Sequence, residues 1–352
     1  MSQVIHEIFP KRLQQARKMR GLSLDNLSKE MNQIVSRQAI NKYEQGKMMP
    51  DSRVLLALAA SLGVKVDFFF RPYAVSIDNI EFRKKSKFSA AKAQSLSERV
   101  HEELERYLEI EQISGTAHEF NLKRKMVSTT QDAIAFAGEV RNALQLGTDG
   151  ISNVIEVLED NNIKIIEIAE DSAFDGLSGY VNGNIPIIVV NKTFNAERKR
   201  FTALHELGHL LMIFSDDMDQ KSVERLCNAF ANEMLLPYSV LTSKIGEKRH
   251  DISLAELKDI QIQFGISVDA IMFTLHQHGV ISDQRYRTFN IKKNMNADFK
   301  TQIEASRFVE KSSGRFFRMV YRALADEIIS ISKAAVLLNT SVEKVNAQLQ
   351  LV

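Results

Sequence analysis

Residues 201–214 read FTALHELGHLLMIF. His205 and His209 stand four positions apart. On a helix they share one face, with Cβ atoms about 5–6 Å apart. Two imidazoles so placed can reach one Zn²⁺ at about 2.0–2.1 Å each. Glu206 follows the first of them and can point at a water on that ion, where a carboxylate serves as general base. Phe201, Leu204, Leu207, Leu210 and Leu211 are apolar, which predicts a buried helix. Two imidazoles and a carboxylate in such a helix are costly unless a metal or hydrogen bonds satisfy them.

A catalytic zinc takes three protein ligands and keeps one position for water. The next stretch, SVERLCNAFANEMLLP (222–237), offers Glu224 and Glu233. Glu224 and Asn228 share a helix face, so a ligating carboxylate there has an amide beside it that can orient a ligating histidine. Glu233 lies nine residues further on, about 180° around the helix. Glu224 is therefore the preferred third ligand, and Glu233 reads as a solvated charge. Asp216, Asp217 and Asp219 read as a solvated acidic loop. Cys227 reads as a small buried apolar side chain, with a thiolate ligand left open. Tyr180 and His250 are the candidates for stabilising an oxyanion.

Upstream, KIIEIA (164–169) and IPIIVVN (185–191) predict strands, which puts a small mixed sheet before the histidine-bearing helix. The second of these strands can bind substrate by strand addition or simply brace the helix. HELGH followed by Glu224, Asn228, Phe230, Ala231, Glu233, Leu235 and Pro237 resembles the ImmA/IrrE family of bacterial zinc metallopeptidases. The similarity takes in FDGLSGY (174–180) and covers roughly residues 130–285. It implies His205, His209 and Glu224 as zinc ligands, Glu206 as catalytic base and a protein as substrate. Cys227 stands where the family usually has alanine. Such sites also accept Mn²⁺ or Co²⁺.

The first 70 residues carry a second signal. Four short helices are predicted, the first stopped by Gly21, with Ser23, Ser36 and Asp51 or Ser52 as N-caps. Residues 8–50 hold nine basic side chains (Lys11, Arg12, Arg17, Lys18, Arg20, Lys29, Arg37, Lys42, Lys47) against three acidic ones, +6 locally on a chain that nets +2. That is an electrostatic footprint for phosphate. SRQAINKYEQG (36–46) places Arg37, Gln38, Asn41 and Lys42 on one side, suited to base edges, and Ser36 at the helix start, suited to a phosphate. The stretch from RLQQARKMRG to SLGV is similar to the XRE-type helix-turn-helix of phage repressors, although its turn MNQIVS lacks the usual glycine. The resemblance implies double-stranded DNA as partner and a homodimer on paired half-sites.

The composition is globular, 44% hydrophobic and 26% charged, with one cysteine. No stretch reads as a signal peptide or membrane span, so the expected location is the cytoplasm. The fold expected is mainly α, with an all-α helix-turn-helix domain (1–72) and a small α+β metallopeptidase domain (129–285). A charged helical linker (73–128) and a C-terminal helical region (286–352) complete the division. The helix from Ser89 to Gly115 can be a spacer, a dimer helix or a helix packed on a domain. Residues 252–282 have a helix-turn-helix rhythm without basic reading residues. Arg307, Arg315, Arg318 and Arg322 give the C-terminal part a positive flank. The expected function is a DNA-binding regulator with a zinc endopeptidase that cleaves a repressor or antitoxin. The alternative is a non-enzymatic transcription factor or antitoxin with a structural or sensory ion.

Overall fold

The structure, a computed structural model, describes residues 2–73, 80–82, 89–116, 119–309 and 314–349, without the side chains of 2–5 and 80–82. The basic run Arg83, Lys84, Lys85 and Lys87, and His118, lie outside the described residues. The chain folds into two compact units. One comprises Met1–Asp78, Lys84–Gly115 and Ala323–Val352, and the other Asn79–Arg83 and Thr116–Arg322.

The first unit starts with α1 (Ser2–Met19), α2 (Leu24–Glu30), α3 (Arg37–Glu44) and α4 (Ser52–Leu62), closed by a 3₁₀ turn at Val66–Phe70. Ser23, Ser36 and Asp51 each accept a hydrogen bond from the third residue of their helix, which satisfies a backbone donor that the first turn leaves free. Phe9, Leu13, Ala16, Leu27, Ile40, Leu58 and Phe69 fill the core. In the α2–α3 turn Asn32 and Gln33 take left-handed conformations, φ +51° and +59°, where the more usual residue would be glycine.

α5 (Ala90–Ser114) packs on α1. Leu96, Val100, Leu104, Tyr107 and Ile110 are buried along it, as are Glu102, Glu105 and Arg106. Arg12 clasps Glu105 with two hydrogen bonds of 2.8 and 2.6 Å, and Arg71 reaches Glu102 at 3.1 Å and Glu105 at 3.3 Å. Burial alone would raise the Glu105 carboxyl, but the Arg12 and Arg71 guanidiniums hold it below its ordinary value. The part of the expected linker that α5 occupies is therefore a packed helix of the first unit.

The second unit begins with β1 (Ile80–Phe82), in a stretch expected to belong to the charged helical linker. After β2 (Lys125–Met126), α6 (Thr130–Ala143) and α7 (Val154–Asp160) come β3 (Lys164–Ile168), β4 (Gly176–Val181) and β5 (Ile185–Asn191). The sheet order is β1-β4-β5-β3, with β3 parallel to β5 and β4 antiparallel to both its neighbours. Every residue of β5 after Ile185 is buried, as expected of a strand covered on both faces. α8 (Ala196–Leu211) lies on β4 and β5 and runs into β6 (Met212–Ile213), which pairs with β2. α9 (Gln220–Leu235) packs on α8 and α6.

α10 (Tyr238–Ile245), α11 (Leu254–Phe264), α12 (Val268–Gln277), α13 (Asp283–Met295) and α14 (Ala297–Glu304) complete the core of the second unit. The α11–α12 pair buries Leu257, Ile260, Phe264, Ile271 and Leu275 in that core, so its helix-turn-helix rhythm serves packing. The division between units falls within α15 (Arg315–Ala325). The expected positive flank is partly consumed there, because Arg315 is buried against the Glu159 carbonyl and Arg318 pairs with Glu156 at 2.9 Å. α16 (Ile331–Leu337) and α17 (Val342–Leu349) return to the first unit. There Arg106 donates to the Leu337 carbonyl at 2.7 Å and Lys333 pairs with Glu109. Among the described residues no helix is long and apolar enough to cross a membrane.

Candidate metal centre and nucleic-acid interface

α8 can come against β4 because residue 176 has no side chain. A Cβ there would lie 2.6 Å from Thr202 Cγ2 and 2.8 Å from the Val189 carbonyl oxygen, distances that real Cβ atoms do not sustain. Gly208 permits the matching approach of α9, since a Cβ there would press on Met212 and Phe230. Held between sheet and α9, α8 buries twelve of its residues, including His205, Glu206 and His209.

His205 Nε2 and His209 Nε2 lie 3.1 Å apart. Glu224, one helix away, brings Oε2 to 3.1 Å from His205 Nε2 and Oε1 to 3.4 Å from His209 Nε2. The three ligand atoms all fall within 4.8 Å of one another. Donors about 2.0–2.1 Å from one tetrahedral ion stand about 3.3 Å apart. Two imidazole nitrogens and a carboxylate at such spacings therefore fit a divalent cation. Glu233 is elsewhere, accepting the Tyr238 backbone N–H at 3.1 and 3.2 Å at the start of α10. Burial pushes its carboxyl up to about 7, against the opposing pull of that bond and of Arg141. It is a half-buried helix cap rather than a solvated charge.

The far ring nitrogens are also engaged. His205 Nδ1 lies 2.8 Å from Asn228 Oδ1. An amide oxygen only accepts, so Nδ1 carries the proton and Nε2 keeps its lone pair for the ion. His209 Nδ1 meets Cys227 Sγ at 3.4 Å, which sets the sulfur on the side of the ring away from Nε2. Phe201 and Phe214 stand beside the two imidazoles, with centroids at 6.1 and 6.4 Å.

Glu206 is 1% exposed. Its Oε2 accepts a hydrogen bond of 2.8 Å from Ser178 Oγ on β4. Ser178 is a site residue that the sequence conceals, although FDGLSGY carries part of the family resemblance, because two glycines and a serine hide a strand. Tyr180 donates its hydroxyl to the Leu210 carbonyl at 3.1 Å, and His250 is exposed in the loop before α11. β5 is paired on both sides, so no substrate strand can add there. Of its two expected roles it keeps the bracing one. Asp216 and Asp217 are exposed, while Asp219 caps α9 through the Ser222 N–H at 2.9 Å. His276 and His278 are packing residues, stacked on Tyr286 and Tyr238.

In the first unit, α3 buries Ile40 and Tyr43 and exposes Ser36, Arg37, Gln38, Asn41 and Lys42. Arg37 approaches Asp25 at 3.7 Å with both side chains well exposed. Two of the nine basic residues expected to meet phosphate do not point that way. Arg12 is fully buried against Glu105, and Arg17 is bound to Glu44 at 2.6 and 2.7 Å. Lys11, Lys29, Lys42 and Lys47 remain exposed.

Comparison with known families gives two matches. Residues 158–276 match a peptidase family described as the IrrE N-terminal-like domain, and residues 13–69 match one described as helix-turn-helix. The chain joins a helix-turn-helix domain to an IrrE-like metallopeptidase domain. No curated protein matches it. The IrrE-like match takes in β3 to β5, α8, α9 and the cluster His205, His209 and Glu224, and a metallopeptidase-type domain implies a metal cofactor. The helix-turn-helix match contains all of α2, α3 and α4 and makes DNA a partner.

Proposed function

We propose that this protein is a DNA-binding regulator whose IrrE-like domain is a zinc endopeptidase acting on another protein, a repressor or an antitoxin. It works in the cytoplasm as a homodimer on paired half-sites. The observation that carries the reading is the convergence of three donor atoms from α8 and α9 beside a buried glutamate on the same helix. In this reading His205, His209 and Glu224 hold the ion. When bound, zinc supplies Lewis acidity towards a carbonyl oxygen and towards water.

The chain's own residues do the rest. Asn228 fixes the ring of His205, and Cys227 abuts that of His209. Ser178 holds one oxygen of Glu206, and the carboxylate accepts a proton from the attacking water and returns it to the leaving amine. The apolar walls given by Phe201 and Phe214 limit water and strengthen these interactions. Ser36, Arg37, Gln38, Asn41 and Lys42 form the DNA-reading face, with Lys29 and Lys47 available for phosphates. A DNA-reading domain on the same chain brings the peptidase to proteins at the operator.

The test compares protein fragments in cells carrying the active chain or Glu206→Gln. The expected result is a set of fragments absent with the variant, while both chains bind one metal ion. If metal stays bound and no fragment differs, the chain is a non-enzymatic regulator with a structural or sensory ion.

A further inference from the structure

The N-terminal half of α8 walls a cavity of about 460 Å³ in the second unit. That volume lies in the range of pockets that bury small ligands or side chains, about 300–1,000 Å³. Phe201 lines it and stands beside the ring of His205 with centroids 6.1 Å apart. Glu197 lines it one turn earlier, Gln261 lines it from α11, and the exposed Glu304 lines it from the end of α14. Glu197 is 3% exposed. Its Oε1 accepts from Gln261 Nε2 at 3.3 Å, but its Oε2, also buried, meets no donor. Buried carboxylate oxygens are normally bonded, and one without a donor calls for an account.

The other charges at this cavity are engaged. Arg198 is bonded to Asp175 at 2.6 Å, and Asp269 to Lys293 at 2.7 Å. Lys258, near enough for the Glu197 charge to act on it, gives its hydrogens to Gln261 Oε1 and to the carbonyls of Ile303 and Ala305. The N-termini of α8 and α12, capped by Asn195 and Ser267, add partial positive charge, and Glu197 and Asp269 sit in those first turns and answer it. Glu304, exposed and 3.9 Å from Lys300, adds a second carboxylate to the lining, and what remains without a donor is Glu197 Oε2.

We propose that the cavity is a specificity pocket for a lysine or arginine side chain of the polypeptide substrate, whose ammonium or guanidinium donates to Glu197 Oε2. The inference rests on the peptidase reading above. Eight positions of helix separate Glu197 from His205, about 12 Å at 1.5 Å per residue. An extended peptide covers that in three to four residues at about 3.3 Å each. The basic residue is therefore three or four positions from the scissile bond. Substrates lacking it leave Glu197 Oε2 without a donor, a penalty of the kind that sharpens selection.

The test has two arms. In a chemical-shift titration of the full chain, N-acetyl-lysine amide and N-acetyl-arginine amide are expected to bind and to shift Phe201 and Gln261, while N-acetyl-norleucine amide does not. Glu197→Gln is expected to weaken binding by about tenfold or more. Glu304→Lys, an exposed change that leaves the core intact, is expected to weaken it several-fold. Metal content stays at one ion in both. Equal binding of norleucine amide, wild-type binding in both variants, or no binding of any probe overturns the proposal. So does free arginine binding as tightly as its capped form, which would mark a small-molecule effector. In the second arm, a peptide library is expected to be cut with lysine or arginine three or four positions from the scissile bond, a preference lost in Glu197→Gln. Cutting without that preference overturns the pocket and leaves the peptidase reading standing. Binding of the capped amino acids with no peptide cut supports the pocket's choice of a basic group and removes the peptidase reading.

Discussion

Ser178 on β4 donates its hydroxyl hydrogen to Glu206 Oε2 on α8 at 2.8 Å. The bond ties the carboxylate assigned as the base to the sheet and fixes which oxygen faces away from it. Ser178→Ala is expected to slow hydrolysis about 10–100-fold, the usual effect of removing such a partner, with metal content unchanged. The check is the rate at which the Glu206-dependent fragments appear, beside metal analysis. Full-rate cutting by Ser178→Ala would show that the bond does not position the base.

Asn228 and Cys227 stand behind the two imidazoles and differ in what their removal should do. Asn228→Ala frees the His205 ring to rotate and to carry its proton on either nitrogen, and is expected to weaken metal binding about 10–100-fold. Cys227→Ala removes a weak sulfur contact to His209 Nδ1, so it should still bind one ion, with at most a several-fold change. Competition with a chromophoric chelator measures both. Loss of the ion in Cys227→Ala would make the sulfur a ligand.

Glu233 makes stability depend on pH. Its folded pKa of about 7 exceeds the ordinary value of 4.5, so between these values the folded chain holds more protons than the unfolded one. Stability from this group is full below about pH 4.5 and falls as pH rises to about 7. Glu233→Gln keeps an acceptor for the Tyr238 N–H without the buried charge. It is expected to match the wild type near pH 4.5 and to exceed it at pH 8, by no more than about 3 kcal/mol. Urea midpoints at the two pH values test this. A constant difference across the range would exclude the ionisation.

Arg12 and Arg37 carry the same charge and should fail differently. Arg37→Ala is expected to weaken DNA binding and leave unfolding unchanged, as Lys42→Ala should, with a shallower salt dependence of affinity. Arg12→Ala leaves Glu105 buried without its main partner and is expected to cost about 3–5 kcal/mol of stability. Anisotropy at two salt concentrations and urea unfolding separate the two. An Arg12→Ala chain of normal stability with weakened DNA binding would return Arg12 to the phosphate-facing surface.

Local signals were the legible ones. The i, i+4 spacing of His205 and His209 and the shared face of Glu224 and Asn228 depend on helix geometry alone, so they could be read without the tertiary fold. The caps at Ser23, Ser36 and Asp51 were legible for the same reason. What escaped reading needed distant partners. Arg12 and Glu105 lie 93 positions apart, and without Glu105 the arginine looks like one more phosphate contact. β4 escaped because its glycines serve α8 rather than the strand's own propensity. Glu233 looked solvated because its partner is a backbone N–H beyond a proline. β1 escaped because its short apolar alternation is surrounded by charge.

The DNA-reading half draws chain from both ends of the sequence, with α16 and α17 joining it only after the whole catalytic half has been traversed. No single nick can therefore free that unit whole. A break after Gly115 leaves 323–352 attached to the enzyme, and a break at 322 leaves β1 in the sheet beside β4. Autolysis that detached the first unit whole would need more than one cut, whereas an encounter with a separate target has to cut only the target.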